Sequence, residues 1–144
     1  MANITLEQAQ KLAAAALDKG HEMGLKPLCI CVLDSRASLR LCINEDGTSI
    51  QRHKIAHGKA NAALALGMGS RALGARAEAQ AYFIDAVGRM TDGDFIPVPG
   101  GVLIKDDAGQ TIGAVGISGD TSDNDEAACI AGIEAVGLTP DTGA

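Results

Sequence analysis

The sequence predicts an α+β fold in which helices cover an antiparallel sheet. A helical pattern is followed by two strand patterns, two helices, further strands and a last helix, which is not the alternating order of a doubly wound parallel sheet. The strands are joined by short turns such as Asp106-Asp-Ala-Gly109, and short turns favour antiparallel hairpins. With 144 residues, the chain is predicted to form a single domain, residues 1–144, with a substantial core.

The first third of the chain predicts one helix and one hairpin. Thr5 and Gln8 form a capping-box pattern, and apolar residues recur at helical spacing from residue 6 to residue 17. Residues 27–34 form a mostly apolar strand, and residues 38–44 alternate as expected for its hairpin partner. The pair Asp46-Gly47 then turns the chain.

The rest of the chain predicts two helices, a second strand pair and a final helix. Thr48 and Gln51 form another capping-box pattern before a helix that stops near Gly67, and Ser70 is predicted to cap a third helix running to Val87. Strands follow at 101–105 and 111–118. The last helix is predicted from about residue 121 to residue 136, with Gly137 in the favoured position beyond its end.

Charge and hydropathy exclude several functional classes. Twelve basic residues against 18 acidic ones give a formal charge of −6, which argues against binding nucleic acid or an anionic membrane. The N-terminal residues do not resemble a signal peptide, and no apolar run approaches the roughly 20 residues that span a bilayer, so we expect a cytoplasmic protein without a membrane partner.

The core must be built almost entirely from aliphatic residues. The chain is 47% hydrophobic but contains only two Phe, one Tyr and no Trp. Such a chain often completes the burial of its apolar surface by self-association, so we predict a symmetric homo-oligomer. Cys29 and Cys31 alternate on one strand and face the same side, whereas Cys42 and Cys129 are predicted to lie elsewhere. Reduced thiols are favoured over disulfides.

Two strands carry an unusual number of glycine and proline residues. The run Phe95-Ile-Pro-Val-Pro-Gly-Gly-Val-Leu-Ile is followed by Gly113-Ala-Val-Gly-Ile-Ser-Gly-Asp120, and these strands are predicted to be neighbours. Glycine within a strand costs stability and marks the close approach of another backbone or of a ligand. At Pro99, Gly100, Gly101 and Gly116 both interpretations stay open: a bulge with tight packing, or room for the edge of a flat ligand.

These motifs carry a family resemblance. The stretch from Pro97 to Glu126, with Asp46-Gly47 and Lys59-Ala60, resembles the GlcG/HbpS-like heme-binding family, which includes a domain of corrinoid-related PduO proteins. The resemblance covers nearly the whole chain and implies a profilin-like α/β/α arrangement. It also implies a small oligomeric protein that holds heme or a related tetrapyrrole beside the glycine-rich strands. The chain departs from the family pattern after Asp34, where Ser-Arg-Ala replaces the usual glycine, and in the basic segment 52–57.

His53 and His57 are the candidate ligands for iron. They are four residues apart on a predicted helix, so they lie on one face and could bind one ligand or metal, although a solvated helix face explains them equally well. Given the resemblance, His53 or His57 would ligate heme iron, with Arg52 and Lys59 as partners of the heme carboxylates. Pro99, Gly100, Gly101 and Gly116 would supply clearance along the backbone.

The sequence leaves open whether the protein is an enzyme. The carboxylates at 120, 123 and 125 contradict a phosphate-binding glycine loop, and neither a hydrolase elbow nor the ligand spacing of a structural zinc site is present. The alternative function is a cofactor-independent lyase or isomerase of a small organic substrate. In it His53 and His57 would act as acid–base residues beside Lys59, and Asp120 would orient a group.

Overall fold

A computed structural model describes residues 2–144 as an α+β structure, which confirms the predicted fold class. In chain order the elements are α1 (Leu6–Glu22), β1 (Cys29–Asp34), β2 (Leu39–Asn44), α2 (Arg52–Leu66), α3 (Ser70–Ala79), α4 (Ala81–Met90), β3 (Gly101–Lys105), β4 (Thr111–Ser118), α5 (Ser122–Ala135) and β5 (Thr139–Asp141). Across residues 2–144, no helix combines the length and the apolar character that crossing a membrane requires.

Within the described residues, the strands form one antiparallel sheet in the order β2-β1-β4-β3-β5. Helices α1 and α5 pack together on one face of the sheet, over the apolar side chains of Ile30, Val102 and Val115. Helix α2 covers the other face, and α3 and α4 pack outside it. The sheet therefore lies between two helical layers, and α2 is the element that carries both candidate histidines.

Glycine allows α2 to approach the sheet at backbone distance. Gly101 of β3 and Gly116 of β4 are cross-strand partners, which confirms that the glycine-rich strands are neighbours. A Cβ atom at Gly116 would lie 2.9 Å from both the Ala56 carbonyl carbon and the Ala60 nitrogen, and closer still to the Ala56 oxygen. A Cβ atom at Gly101 would likewise meet the backbone of Lys59. These two glycines thus face the inner side of α2.

A buried ion pair fastens α2 to α5. The side chain of Lys59 is 3% exposed, and its Nζ donates to an Asp125 carboxylate oxygen at 3.1 Å and to the Ile117 carbonyl oxygen at 2.9 Å. Burial is the main influence on Asp125 and raises the pKa of its carboxyl group, although Lys59 opposes that rise. Among residues 2–144, every buried side-chain nitrogen and oxygen has a hydrogen-bond partner.

Several predicted helix boundaries are wrong. The capping box of Thr5 and Gln8 is confirmed, but α2 begins only at Arg52, after a residue that provides no side-chain cap. Ser70 is the first residue of α3 rather than its cap, because its Oγ accepts a hydrogen bond from the Gly101 amide at 2.7 Å. The predicted third helix is divided at Gln80 into α3 and α4.

The short strand β5 is an element that the sequence pattern does not predict. It has three residues, one of them Pro140, and it pairs with the edge of β3. The predicted end of the last helix is confirmed, since α5 stops at Ala135 and Gly137 has a φ of 76°.

Candidate functional site

A cavity of about 490 Å³ opens between the sheet and the outer face of α2. Its lining is mostly apolar and comes from three separate parts of the chain: Cys31, Leu39 and Cys42 from β1 and β2, His53, Lys54 and His57 from α2, and residues 92–94 from the turn after α4. Its volume lies within the roughly 300–1,000 Å³ range of small-molecule sites. Both candidate histidines border this cavity, as expected for residues one helical turn apart.

His57 is oriented by a carboxylate. Its Nδ1 lies 2.9 Å from one oxygen of Asp94 and 3.0 Å from the other, and the two side chains are about one-third exposed, at 32% and 35%. A histidine whose Nδ1 is held in this way presents Nε2 as its ligating or proton-accepting atom, and metal-binding histidines usually have such a carboxylate partner. His53 lies one turn earlier and is exposed.

Three thiols cluster at the sheet side of the cavity, and two of them, Cys31 and Cys42, line it. Cys31 and Cys42 are cross-strand partners with their sulfur atoms 3.1 Å apart, and the Cys29 sulfur lies 3.8 Å from that of Cys42. The prediction that Cys42 lies apart from Cys29 and Cys31 is therefore wrong, whereas Cys29 and Cys31 do face the same side. All four cysteines are free, and Cys129 is buried under the Gly100 carbonyl, in hydrogen-bond contact at 3.4 Å.

The thiols influence each other's ionisation. Hydrogen bonding with Cys31 lowers the pKa of Cys29, whereas the same contact, together with burial, raises the pKa of Cys31. Burial raises the pKa of Cys42.

The predicted carboxylate partners Arg52 and Lys59 do not line the cavity. Lys59 is held in the core by Asp125, and Arg52 donates from Nε to the Ser49 hydroxyl and from Nη1 to the Ser118 hydroxyl, each at 3.1 Å. The cation that does line the cavity is Lys54.

Asp120 also lies outside the cavity, at the beginning of α5. Its carboxylate accepts hydrogen bonds from the Lys26 amide, the Thr121 amide and the Asn124 side chain, and these bonds, the one from Asn124 first, lower its pKa to about 2. The residue therefore ties the start of α5 to the loop before β1. It is not placed to orient a group beside His53 or His57.

The predicted glycine clearance lies on the inner side of α2. Gly101 and Gly116 face the backbone of Lys59 and Ala56, and a Cβ atom at Gly100 would lie 2.9 Å from the Lys59 Nζ. Pro99 belongs to the same segment, 98–100, before β3, and it does not line the cavity. The structure thus brings the histidines together at one cavity and places the proline and the glycines apart from them.

Sequence reasoning missed Asp94, Lys54 and Leu39. Asp94 is 37 residues from His57, in a turn after α4 where Asp92 and Gly93 both have positive φ, at 56° and 80°. The Asp-Gly-Asp sequence indicates a turn, but nothing local to it indicates the partner. Lys54 follows His53 directly and could have been found by treating the helix face as a unit.

Comparisons with known proteins agree with this architecture. A sequence model of the family described as haem degrading protein HbpS-like matches residues 4–134. No curated protein sequence gives a significant match.

Solved structures share the fold at low sequence identity. Protein ORFY of Klebsiella pneumoniae is 24% identical with a TM-score of 0.86, over 95% of this chain and 92% of that one. A complex of PduOC with heme is 19% identical with a TM-score of 0.84, over 94% and 96% of the two chains. HbpS is 23% identical with a TM-score of 0.79, over 93% and 90%. At these identities the structures establish the fold alone.

Proposed function

Because the chain belongs to the HbpS-like family of haem-degrading proteins, we propose that it binds heme or a related tetrapyrrole in the cavity beside α2 and takes part in heme handling. The observation that carries the proposal is the His57–Asp94 pair on the cavity wall. PduOC, which shares this fold, has been solved as a complex with heme, and this supports heme as the class of ligand.

The donor set of the cavity fits a heme group. An imidazole whose Nδ1 is engaged by a carboxylate would be a suitable ligand for heme iron through Nε2, because the carboxylate fixes the orientation of the ring. The mostly apolar lining suits the faces of a porphyrin, and Lys54 suits its carboxylates. When bound, heme would supply redox chemistry at iron. The residues of this chain bind the group, orient the imidazole and neutralise a carboxylate.

We propose His57 rather than His53 as the main iron ligand. His57 is half-buried and held by Asp94, whereas His53 is exposed and would have to lose more rotational freedom on binding. His53 is then the second imidazole on the same wall. Arg52, Lys59, Pro99, Gly100, Gly101 and Gly116 have no direct role in this proposal.

Self-association and a cytoplasmic location remain part of the proposal. Large apolar side chains are exposed on the isolated chain at Ile50 (84%), Met90 (79%) and Tyr82 (74%), and a homo-oligomer would bury such groups. Light scattering on a size-exclusion column tests this expectation, which a monomer at micromolar concentration would overturn.

A hemin titration of the purified chain tests the proposed site. Wild type should give a shifted Soret band that saturates at one heme per chain, and His57→Ala should lose most of the shift. His21→Ala is the matched control, because His21 is an exposed histidine that lies 2.7 Å from Glu45, outside the cavity. Equal titrations for His57→Ala and wild type would refute the proposed ligand.

Asp94→Asn separates orientation of the imidazole from iron ligation. The variant should still bind hemin, but about 10- to 100-fold more weakly, because the asparagine no longer provides a charged acceptor for Nδ1. An unchanged affinity would remove Asp94 from the site.

The same pair also supports a second candidate function, the lyase or isomerase. A histidine paired with an aspartate can exchange a proton with a substrate near neutral pH. Lys59 and Asp120 would not take part, because both are engaged elsewhere in the structure. A bell-shaped pH profile for turnover of a small substrate without heme, lost in His57→Ala, would favour this function over heme binding.

A further inference from the structure

The three-thiol cluster of Cys29, Cys31 and Cys42 has the geometry of a metal-ligand set. Its sulfur atoms all lie within 4.8 Å of one another, and two of the separations are 3.8 and 3.1 Å. Three thiolates around one ion at about 2.3 Å would be roughly 4 Å apart. Small rotations about the Cα–Cβ bonds are therefore enough to close the cluster around an ion.

The cluster is both rigid and reachable. Cys29 and Cys31 are buried on β1, a strand that pairs with β2 on one side and with β4 on the other, so their positions are fixed by the sheet. Cys42 is exposed on β2, and Cys31 and Cys42 both line the cavity described above. An ion can thus enter from the cavity and bind to sulfur atoms whose positions the sheet already fixes.

We propose that Cys29, Cys31 and Cys42 form a three-coordinate thiolate site for a soft metal ion, Cu(I) foremost. Thiolate ligands select Cu(I), zinc and iron–sulfur clusters over harder ions. A structural zinc site requires four ligands, and within residues 2–144 no imidazole or carboxylate joins this group. Each coordinating thiol releases its proton on binding. The net negative charge that remains lies beside the cavity, which Lys54 also lines.

This site is separate from the proposed heme ligand. His57 lies on α2, and its Asp94 partner lies on the turn after α4, whereas the thiols belong to the sheet. Substitutions can therefore test one site without removing the other.

A competition titration with Cu(I) tests the proposal. The full chain, reduced and desalted under anaerobic conditions, is titrated against the Cu(I)–bicinchoninate complex. Wild type should withdraw one Cu(I) per chain, and X-ray absorption should find three sulfur ligands at about 2.3 Å. Cys42→Ser should weaken the affinity for Cu(I) by at least about 100-fold, because it removes a sulfur atom that binds the ion directly rather than a residue that only orients a ligand. Cys42 is exposed, so this variant should keep the fold, which circular dichroism checks.

Two further variants make the outcome decisive. Cys129→Ser should bind Cu(I) like wild type, because Cys129 is a buried thiol on α5 outside the cluster. His53→Ala should also leave Cu(I) binding unchanged. Retained affinity in Cys42→Ser, or an equal loss in Cys129→Ser, would overturn the proposal. A parallel Zn(II) titration that gives tighter, four-coordinate binding lost in His53→Ala would overturn the three-coordinate assignment.

Discussion

Replacing Gly116 by alanine should strongly destabilise the protein, because the new methyl group has no space beneath α2. Its Cβ atom would lie 2.9 Å from two backbone atoms of α2 and closer still to the Ala56 oxygen, whereas ordinary van der Waals contact begins at 3.4 Å. Because the contact with the Ala56 oxygen is the shortest of the three, the helix must withdraw from the sheet by more than about 1 Å, a gap that forfeits at least about half of the dispersion energy of each contact it opens.

The expected free-energy cost is about 3 kcal/mol. Introducing an extra methyl group into a packed core costs about 1–3 kcal/mol, and the upper end applies because the obstacle is helix backbone rather than a flexible side chain. The fully buried Ala56, Ala60 and Ala63 on the inner face of α2 would lose contact together. With a urea m value of about 2 kcal/mol/M, the unfolding midpoint should fall by about 1.5 M.

Gly88→Ala is the matched control. Gly88 lies in α4, where an added Cβ atom would have no neighbour within 4 Å, so this alanine should stabilise the helix by about 0.5–1 kcal/mol. Urea unfolding and hemin titration of both variants separate two roles for Gly116. Packing predicts lost stability, whereas ligand clearance predicts weaker hemin binding at unchanged stability. A midpoint for Gly116→Ala within about 0.25 M of wild type would refute the packing argument.

Three further substitutions test the core and the helix ends. Lys59→Met should cost about 3–5 kcal/mol at pH 7, because it leaves the Asp125 carboxylate buried and unpaired. Burial raises the pKa of Asp125, so this loss of stability should shrink as the pH falls and the carboxyl group takes up a proton. Urea unfolding at pH 7 and pH 5 measures the loss, and an equal loss at both pH values would contradict this explanation. Ser70→Ala should cost about 1–3 kcal/mol by leaving the buried Gly101 amide without its acceptor, while Ser38→Ala on the surface should change stability by less than about 0.5 kcal/mol. The pKa of Asp120 is lowered to about 2 from the model-compound value of 3.8, so its carboxylate stabilises the folded state above pH 4 and loses that contribution as the pH falls towards 2. Asp120→Asn should therefore flatten the decline of the urea midpoint between pH 4 and pH 2. An unchanged slope would count against this role of Asp120.

The elements with strong local signals could be predicted from the sequence. Helix α1 has both a capping box and an apolar stripe, and β4 is bounded by a turn at Gly109 and a cap at Thr121. The failures occur where a long-range contact decides the local structure. Ser70 has the residue type of a cap, yet its hydroxyl serves the amide of Gly101, which is 31 residues away.

The candidate site was only half predictable, for the same physical reason. The four-residue spacing of His53 and His57 fixes them on one helix face, and both do border the cavity. Asp94 gives one of those histidines its orientation, but the contact exists only because the chain returns to α2 after α4, where the Ile96 amide donates to the Gly58 carbonyl at 3.1 Å. No helical or strand periodicity reports such a return.

The glycine-rich strands illustrate how one sequence signal can have two causes. Glycine in a strand indicates that something approaches the backbone, and sequence alone does not identify whether that partner is a ligand or another element. Here the partner of Gly101 and Gly116 is α2 itself. The glycines therefore act on the site indirectly, by setting how close the histidine-bearing helix lies to the sheet.

The thiol cluster depends on a single irregularity in the first hairpin. Near the turn Leu33 pairs with Leu39, and a regular hairpin continuing from that pair would place Cys31 opposite Leu41, with Cys42 on the other face of the sheet. The register instead shifts between Val32 and Leu33, so that Val32 pairs with Leu41 and Cys31 with Cys42. One extra residue in β2 thus moves Cys42 to the face that carries Cys29 and Cys31. Strict alternation of side chains along a regular hairpin would predict that Cys42 lies on the opposite face from Cys29 and Cys31. The bulge instead brings the three sulfur atoms together beside the proposed heme cavity.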